Sequence, residues 1–459
     1  MSLISFNPFF RLFGKVQSSN HKIAKGKITL AIPKRPKGQK DVLKLACNPV
    51  PTVRIAIVGV GTRGIAVIKR MLCIPNTEIV ALCDLYEKNT LEGNLVLEQA
   101  KKHKASVFYG ETAWQKITKL PDVDLVYVAT EWKLHARIGI QAMKDGKHVA
   151  IEVPAALTIQ EIWDLVNTAE QTRRHCIQLE NCVYDSFELT TLNMVQQGLL
   201  GEIIHCQGAY IHQLQPFWSK WRTEYNHLHR GDLYPTHSLG PACQILNIHR
   251  GDRLEYLVSM DTKAVGNLCH YQKSTNKAIK DFKNGDHTMT MISTANRKSI
   301  LIEHNVVSPR PYNRMYQVTG TKGFANKYPI EGYSFDKQTF GEIVCDNRKS
   351  EWDKDTFITD ADKDMLIEKY THPIVYHTDK YTKDTDNPKD LNYIMDFRLI
   401  YCLHNGLPLD MDVYDLAEWC CAIPLSEISL ENNSMPVAIP DFTRGYWNKL
   451  NKLNFAIQK

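Results

Sequence analysis

Val53-Arg54-Ile55-Ala56-Ile57-Val58-Gly59-Val60-Gly61-Thr62-Arg63-Gly64 decides how this chain is read. An apolar strand runs straight into Gly-x-Gly-x-x-Gly and then into a helical pattern. In that order Gly59 permits the tight turn, Gly61 lets backbone approach a pyrophosphate, and Gly64 lets helix and strand pack closely, so that the first amides of the helix face the phosphates. A second apolar strand, Ile79-Val80-Ala81-Leu82-Cys83, ends at Asp84, 20 residues beyond Gly64. A carboxylate there accepts hydrogen bonds from the adenosine ribose hydroxyls and repels a 2′-phosphate, so the expected cofactor is NAD rather than NADP.

Outward from this point, strands at 123–129, 148–151 and 176–179 alternate with helical patterns at 135–144 and 158–173. The alternation predicts an α/β fold, a Rossmann-type doubly wound parallel sheet over residues 51–180. Residues 1–50, rich in Lys and Pro without sustained periodicity, are expected to form an N-terminal arm. After a helix at 185–197 the texture changes to runs at 202–214, 254–260, 288–293, 299–305 and 314–320, separated by turn residues. These predict an α+β domain with an open antiparallel sheet over 181–445, for substrate and subunit contacts, followed by a C-terminal tail over 446–459. Residues 337–390 are polar and weakly periodic and are expected to wander over the surface.

Composition narrows the function classes. The chain has 459 residues, 43% of them hydrophobic, and a formal charge of +6 that gathers partly before residue 50. No basic stripe interleaved with aromatics continues through the folded part, so nucleic acid is not an expected partner. The twelve cysteines fall largely inside apolar patterns, which predicts buried free thiols. No Cys-x-x-Cys pair stands at zinc-site spacing, and no metal is expected. No apolar run approaches the roughly 18 residues of a membrane span. The first ten residues lack a charged leader, and Asn7-Pro8 interrupts their apolar run, so the cytoplasm is expected, with the periplasm or export as the alternative.

Ligands of such sheets bind beyond the carboxyl ends of the strands. Three loops stand there: Thr130-Glu131-Trp132-Lys133-Leu134-His135, Glu152-Val153-Pro154, and Glu180-Asn181-Cys182-Val183-Tyr184-Asp185. Further on, Leu233-Tyr234-Pro235-Thr236-His237 is dense in proton-transfer groups. If it opens a helix, Tyr234 and His237 share a face. With Tyr184, Tyr210, Arg222 and Tyr312 they form a set of phenols, one imidazole and one guanidinium, suited to an uncharged, hydroxyl-rich ligand such as a sugar.

Glu152-Val153-Pro154 resembles the Glu-Lys-Pro element of the glucose-fructose oxidoreductase and inositol dehydrogenase superfamily, with Val153 in place of the lysine that assists hydroxyl deprotonation. An aliphatic side chain exchanges no proton, which counts against a plain alcohol dehydrogenase mechanism at that position. Within that superfamily, residues 53–446 resemble glycoside hydrolase family 109, the NAD-dependent α-N-acetylgalactosaminidases. The segments that carry the resemblance are 148–185, 201–260, 309–324, Pro408-Leu409-Asp410-Met411-Asp412-Val413-Tyr414-Asp415 and Ile439-Pro440-Asp441-Phe442-Thr443-Arg444-Gly445.

The resemblance implies cofactor contacts at Thr62, Arg63, Asp84, Trp132, Lys133, Leu134, His135, Glu152, Val153 and Asn181, beside Gly59, Gly61 and Gly64. It implies sugar contacts at Tyr210, Arg222, Tyr234, Pro235, Thr236, His237 and Tyr312. The implied reaction is an oxidation of the sugar at carbon 3, elimination of the glycosidic oxygen, addition of water and re-reduction. Either Tyr184 or Tyr234 deprotonates and His237 shuttles protons. A homo-oligomer is expected by the same analogy. One departure stands out: Asn387-Pro388-Lys389-Asp390-Leu391-Asn392 occupies the place of the family's Gly-His-Gly-Gly-Met-Asp. It leaves two other readings, a sugar or cyclitol oxidoreductase and a weakened NAD- or sugar-binding relative.

Overall fold

The computed structural model describes residues 22–343, 352–353, 355–382 and 390–457. Six strands form a wholly parallel sheet in the spatial order Ser106–Tyr109, Thr77–Asp84, Val53–Val58, Leu125–Val128, His148–Ile151 and Cys176–Gln178. Val53, Ile55, Ala56, Ile57 and all of Leu125–Val128 are buried, because helices pack on this sheet and leave its central strands no wet side. The order reverses between Val53–Val58 and Leu125–Val128. A ligand crevice therefore opens beyond the carboxyl ends of those two strands.

The second sheet has ten strands, in the order Lys22–Ala24, Lys27–Thr29, Val437–Ala438, Leu254–Asp261, Thr288–Thr294, Ser299–Asn305, Ile203–Ile211, Tyr316–Gly320, Gly323–Asn326 and Gly332–Phe335. Most neighbours are antiparallel, as expected, but Ser299–Asn305 runs parallel to Ile203–Ile211. The long connection between these two strands, which includes the helices Lys220–Leu228 and Thr236–Ile245, is what parallel pairing requires. The last two strands have four residues each, too few to show a period.

Other parts of the chain differ from their sequence reading. Within 337–390 the structure holds the helices Lys337–Ile343, Asp360–Tyr370 and Pro373–Thr382 instead of an irregular excursion. Charged residues are scattered round Asp360–Tyr370, which hides the buried Leu366 and Tyr370 from a periodicity argument. The arm is described from residue 22, and residues 1–21 lie outside the described part. It lays a hairpin on the edge of the second sheet through Ile28 and Val437, then clamps Arg35 on Glu170 of the helix Ile159–Thr172 at 2.9 and 3.0 Å. The tail is packed as well, with Leu453 buried and the Arg398 guanidinium donating to the Ala456 carbonyl at 2.7 Å.

The helix Leu391–Asn405 packs against the first sheet, with Arg70 donating to Asp396 at 2.7 Å. Among the described residues the cysteines are free thiols, most of them buried. No helix of the described residues is long and apolar enough to cross a membrane.

Candidate active site

The three glycines of the opening motif do different work. Gly59 has φ +97°, and a Cβ on it would lie 2.4 Å from the Ala129 carbonyl oxygen of the neighbouring strand end. A Cβ on Gly64 would lie 2.1 Å from the Gly59 carbonyl oxygen, so strand and helix close only over glycine. At Gly61 a Cβ would meet nothing within 4 Å. The protein's own packing does not need that glycine, but a pyrophosphate does, since a side chain there would fill its approach.

The helix Thr62–Met71 that follows has no side-chain cap and no acidic residue in its first turn, which leaves its positive end available to an anion. Asp84 accepts from the Val60 amide at 2.7 Å and from the Tyr86 amide and Asn89 side chain at 3.0 and 2.9 Å. These bonds hold its carboxylate at the strand end. The open face at Gly61, the uncapped helix and the fixed acid fit a bound NAD.

At the strand ends the loops are tied together by buried and partly buried groups. Arg63 donates to Glu152 at 2.6 Å, the Tyr127 phenol reaches both Glu152 at 3.4 Å and Asp396 at 3.2 Å, and Arg70 closes the ladder on Asp396. Asn392 accepts from Asn181 at 2.8 Å and from Arg63 at 3.3 Å, which brings the end of the departing segment onto two expected cofactor residues. Asn387, Pro388 and Lys389 lie outside the described residues. Trp132 and Val153 are buried at the crevice, Thr62 is exposed beside Gly61, and Leu134 packs on the core.

Two expected cofactor residues turn elsewhere. The Lys133 ammonium pairs with Glu131 at 2.8 Å on the surface. The His135 ring is buried, with Nδ1 2.8 Å from the Pro154 carbonyl and Nε2 3.0 Å from the Thr130 carbonyl. It joins two loops, and burial pulls its pKa down.

The sugar end lies beside this ladder. Gly208 in the strand Ile203–Ile211 has no room for a Cβ, which would come within 3.0 Å of Ser238, so the helix Thr236–Ile245 presses on the strand and brings His237 to Tyr210. Tyr210, Tyr234 and His237 form a triangle with ring centres 5.2, 5.1 and 5.0 Å apart. Trp132 stacks on Tyr234 at 5.8 Å and meets Trp221 edge-on at 5.2 Å. Arg222 lies 5.1 Å over Trp132 and 5.0 Å over Trp221, and its buried Nε has no hydrogen-bond partner among the described residues. Pro235 precedes the helix, Thr236 is buried in its first turn, and Tyr312 stands half-exposed at the rim, 4.9 Å from His212.

Behind the triangle stands Glu180, which accepts from His237 Nδ1 at 2.6 Å and from the Cys182 amide at 3.1 Å. Burial pushes its carboxyl up, but His237 beside it and the amide bond outweigh that and hold it below the usual range. Sequence reading places Glu180 at a strand end without giving it a role. The available signal was an apolar strand that stops on an acid. Trp221 and Tyr225, which wall Trp132 from the helix Lys220–Leu228, were likewise missed.

Tyr184 does not join the triangle. It is fully buried and its phenol donates to Asp410 at 3.1 Å, while Asp410 is held by Arg398 at 2.7 and 2.8 Å. Burial pushes its phenol far up, and its hydroxyl is committed to the core. Tyr210 and Tyr234 are also pushed up by burial, with Tyr312 adding to it at Tyr210 and Tyr210 adding to it at Tyr234.

The model of the glycosyl hydrolase 109 C-terminal domain matches residues 216–449, and that of the oxidoreductase family NAD-binding Rossmann fold matches residues 53–179. Glycosyl hydrolase family 109 protein 1 of Bacteroides fragilis is 52% identical over 437 residues, 94% of each chain. The chain belongs to glycoside hydrolase family 109. A family 109 protein of Porphyromonas gingivalis is 51% identical over 436 residues, covering 94% of this chain and 93% of that one.

Among solved structures, levoglucosan dehydrogenase in complex with NADH matches with a TM-score of 0.64 at 16% identity, over 85% of this chain and 100% of that one. Myo-inositol dehydrogenase from Lactobacillus casei in complex with NAD(H) and myo-inositol matches with 0.57 at 14%, over 85% and 99%. These likenesses show the fold. As a family 109 member the protein is an NAD-dependent sugar enzyme of the glycosidase type, with NAD as its cofactor.

Proposed function

We propose that this protein releases a terminal α-linked N-acetylgalactosamine, or a closely related sugar, with no net redox change. The observation that carries the reading is the His237–Glu180 pair, set into a wall of Tyr210, Tyr234 and Trp132 at the carboxyl ends of the parallel strands. Held by Gly61, the start of the helix Thr62–Met71 and Asp84, NAD would supply a reversible hydride acceptor, and a sugar oxidised at carbon 3 would carry an acidic proton on carbon 2.

Proton handling falls to the side chains, and Val153 supports it at no step. Glu180 takes up His237 Nδ1 at 2.6 Å and fixes the ring, so Nε2 is the nitrogen left to exchange a proton with the sugar. Burial keeps the Tyr234 phenol protonated, so Tyr234 donates to the departing glycosidic oxygen and regains its proton from the water that adds. His237 takes the carbon 3 hydroxyl proton on oxidation, passes it to solvent, takes the carbon 2 proton on elimination, and returns both in the reverse order. Arg222 and Tyr312 bind sugar oxygens, and the Trp132 and Trp221 rings give the apolar face of the sugar a surface. Tyr184 has no part in this scheme.

Purified protein mixed with NAD and para-nitrophenyl α-N-acetylgalactosaminide tests the reading by following nitrophenol and NADH absorbance together. Nitrophenol is expected to rise without lasting NADH. NADH accumulating with a free sugar in place of the glycoside would establish an oxidoreductase, and silence in both channels with NAD bound would point to a changed substrate or a lost activity. The outer face of the second sheet exposes Met260, Met289 and Met291, with Met260 directly opposite Met289. We infer a homo-oligomer through that face, checked by sedimentation, and a cytoplasmic setting from the buried thiols.

A further inference from the structure

A cavity of about 940 Å³ lies between the arm and the segment that follows Val437–Ala438. It is remote from the catalytic crevice. The helix Ile159–Thr172 starts at the carboxyl end of the strand His148–Ile151 and returns antiparallel to it, so Glu170 and Arg173 stand at the opposite edge of the parallel sheet. Lys34, Arg35, Lys40, Arg173, Arg444 and Lys449 line the cavity.

Two carboxylates, Asp41 and Asp441, share this lining and a third, Glu170, lies buried behind it, and each is already committed. Asp41 pairs with Lys449 at 2.7 Å. Asp441 accepts from Thr443 and Gly445 in its own turn. Glu170 takes Arg35 in two bonds, Arg444 at 3.0 Å, Gln39 at 2.8 Å and Tyr414 at 2.6 Å. Two guanidiniums thus converge on one carboxylate in a partly buried place, and burial, with Arg35 alongside, pulls Arg444 below its usual range although Glu170 acts the other way. Lys34, Lys40 and Arg173 make no ion pair with a described carboxylate.

A concave surface lined by one sign of charge focuses the field and draws the opposite charge. We propose that this cavity binds a multiply charged oxyanion, a sulfate- or phosphate-bearing molecule of saccharide size, at a site separate from the catalytic one. Its oxygens bridge the two free lysines and the guanidiniums that share Glu170.

Calorimetric titration of the full chain with sucrose octasulfate, with tripolyphosphate and with sucrose, at low and high salt, tests this. One octasulfate or tripolyphosphate is expected to bind per chain, about tenfold more weakly at high salt, and sucrose not at all. Tighter octasulfate binding assigns a sulfated carrier, and tighter tripolyphosphate binding a phosphorylated one. The double variant Lys34→Glu and Lys40→Glu changes two exposed side chains without ion pairs, so it keeps its thermal midpoint and weakens the anion about tenfold or more. Lys102→Glu with Lys119→Glu, equally exposed elsewhere, leaves binding unchanged. Absence of saturable binding by either anion, or equal weakening in both double variants, would overturn the proposal.

Discussion

His237 and His249 each set Nδ1 against a buried glutamate, at 2.6 Å from Glu180 and 2.8 Å from Glu418, yet the two pairs have different surroundings. His249 is wholly enclosed, with Asp412 3.5 Å from its Nε2, Asp415 at 3.9 Å and Arg250 bidentate on Asp415. Burial and Arg250 pull its pKa down, but Glu418, Asp412 and Asp415 win and push it up to about 10. His249 is therefore an imidazolium held in a charge network that joins the helix Val413–Cys420 to the loop after Thr236–Ile245. His237 has a single carboxylate behind it and phenols in front. The comparison teaches that a His–Glu pair can serve the proposed proton transfer only where no second acid holds the other ring nitrogen, as Asp412 does at His249.

The sharpest separation is between turnover and stability. His237→Asn should lower kcat by about 10²–10⁴ with the thermal midpoint and bound NAD retained, as measured by single-turnover assay and calorimetry. Loss of NAD or of folding in that variant would return His237 to a structural role. His249→Ala should do the reverse, costing about 3–5 kcal/mol in denaturant unfolding while turnover per folded molecule is kept.

The sign of the pH effect follows from the raised pKa of His249. An unfolded histidine titrates near 6.5, so the stabilising contribution is complete below that pH and is lost as pH rises toward about 10. Glu418, pushed up to about 7 mainly by burial, acts in the same direction. The thermal midpoint should fall across that alkaline window in the parent chain, and the fall should flatten in His249→Ala.

The glycines extend the contrast to the cofactor end. Gly64→Ala forces a Cβ against the Gly59 carbonyl and should cost about 1–3 kcal/mol of stability. Gly61→Ala has open space in the protein, so its midpoint should stay while NAD, followed by fluorescence titration, binds about tenfold more weakly. An equal drop in stability for both would mean that Gly61 serves packing. The smallest effect is expected for Tyr184→Phe, about 1 kcal/mol from one bond to Asp410 and no change in kcat, whereas Tyr234→Phe should slow turnover. A larger kcat loss for Tyr184→Phe would reverse the two tyrosines.

Much of the first sheet was legible because its signals are local. A strand, a turn that only glycine fits and a helix start lie within Val53 to Gly64, and the central strands of a covered parallel sheet read as mostly apolar runs, whereas the largely exposed edge strand Ser106–Tyr109 gave no such signal. The triangle was half-legible. Tyr234 and His237 are neighbours in sequence, and Tyr210 was reached through its phenol type and the family pattern. Glu180 needed Gly240, where a Cβ would come within 3.0 Å of its Cγ, to let it slide under the helix that carries His237. Tyr184 shows the opposite failure, since nothing near it in sequence tells that its hydroxyl is spent on Asp410, 226 residues away.

Sequence alone determined the Rossmann-type unit, the NAD preference and the pool of tyrosines, histidine and arginine from which a sugar site is drawn. These depend on the types and spacing of residues within a few turns of chain. Tertiary structure decided which of the pool meet, that Ser299–Asn305 runs parallel to Ile203–Ile211, that the arm and tail are packed, and that three cations of the remote cavity lack a carboxylate among the described residues. Burial, partner geometry and charge balance are set by groups hundreds of residues apart, and no spacing rule records them.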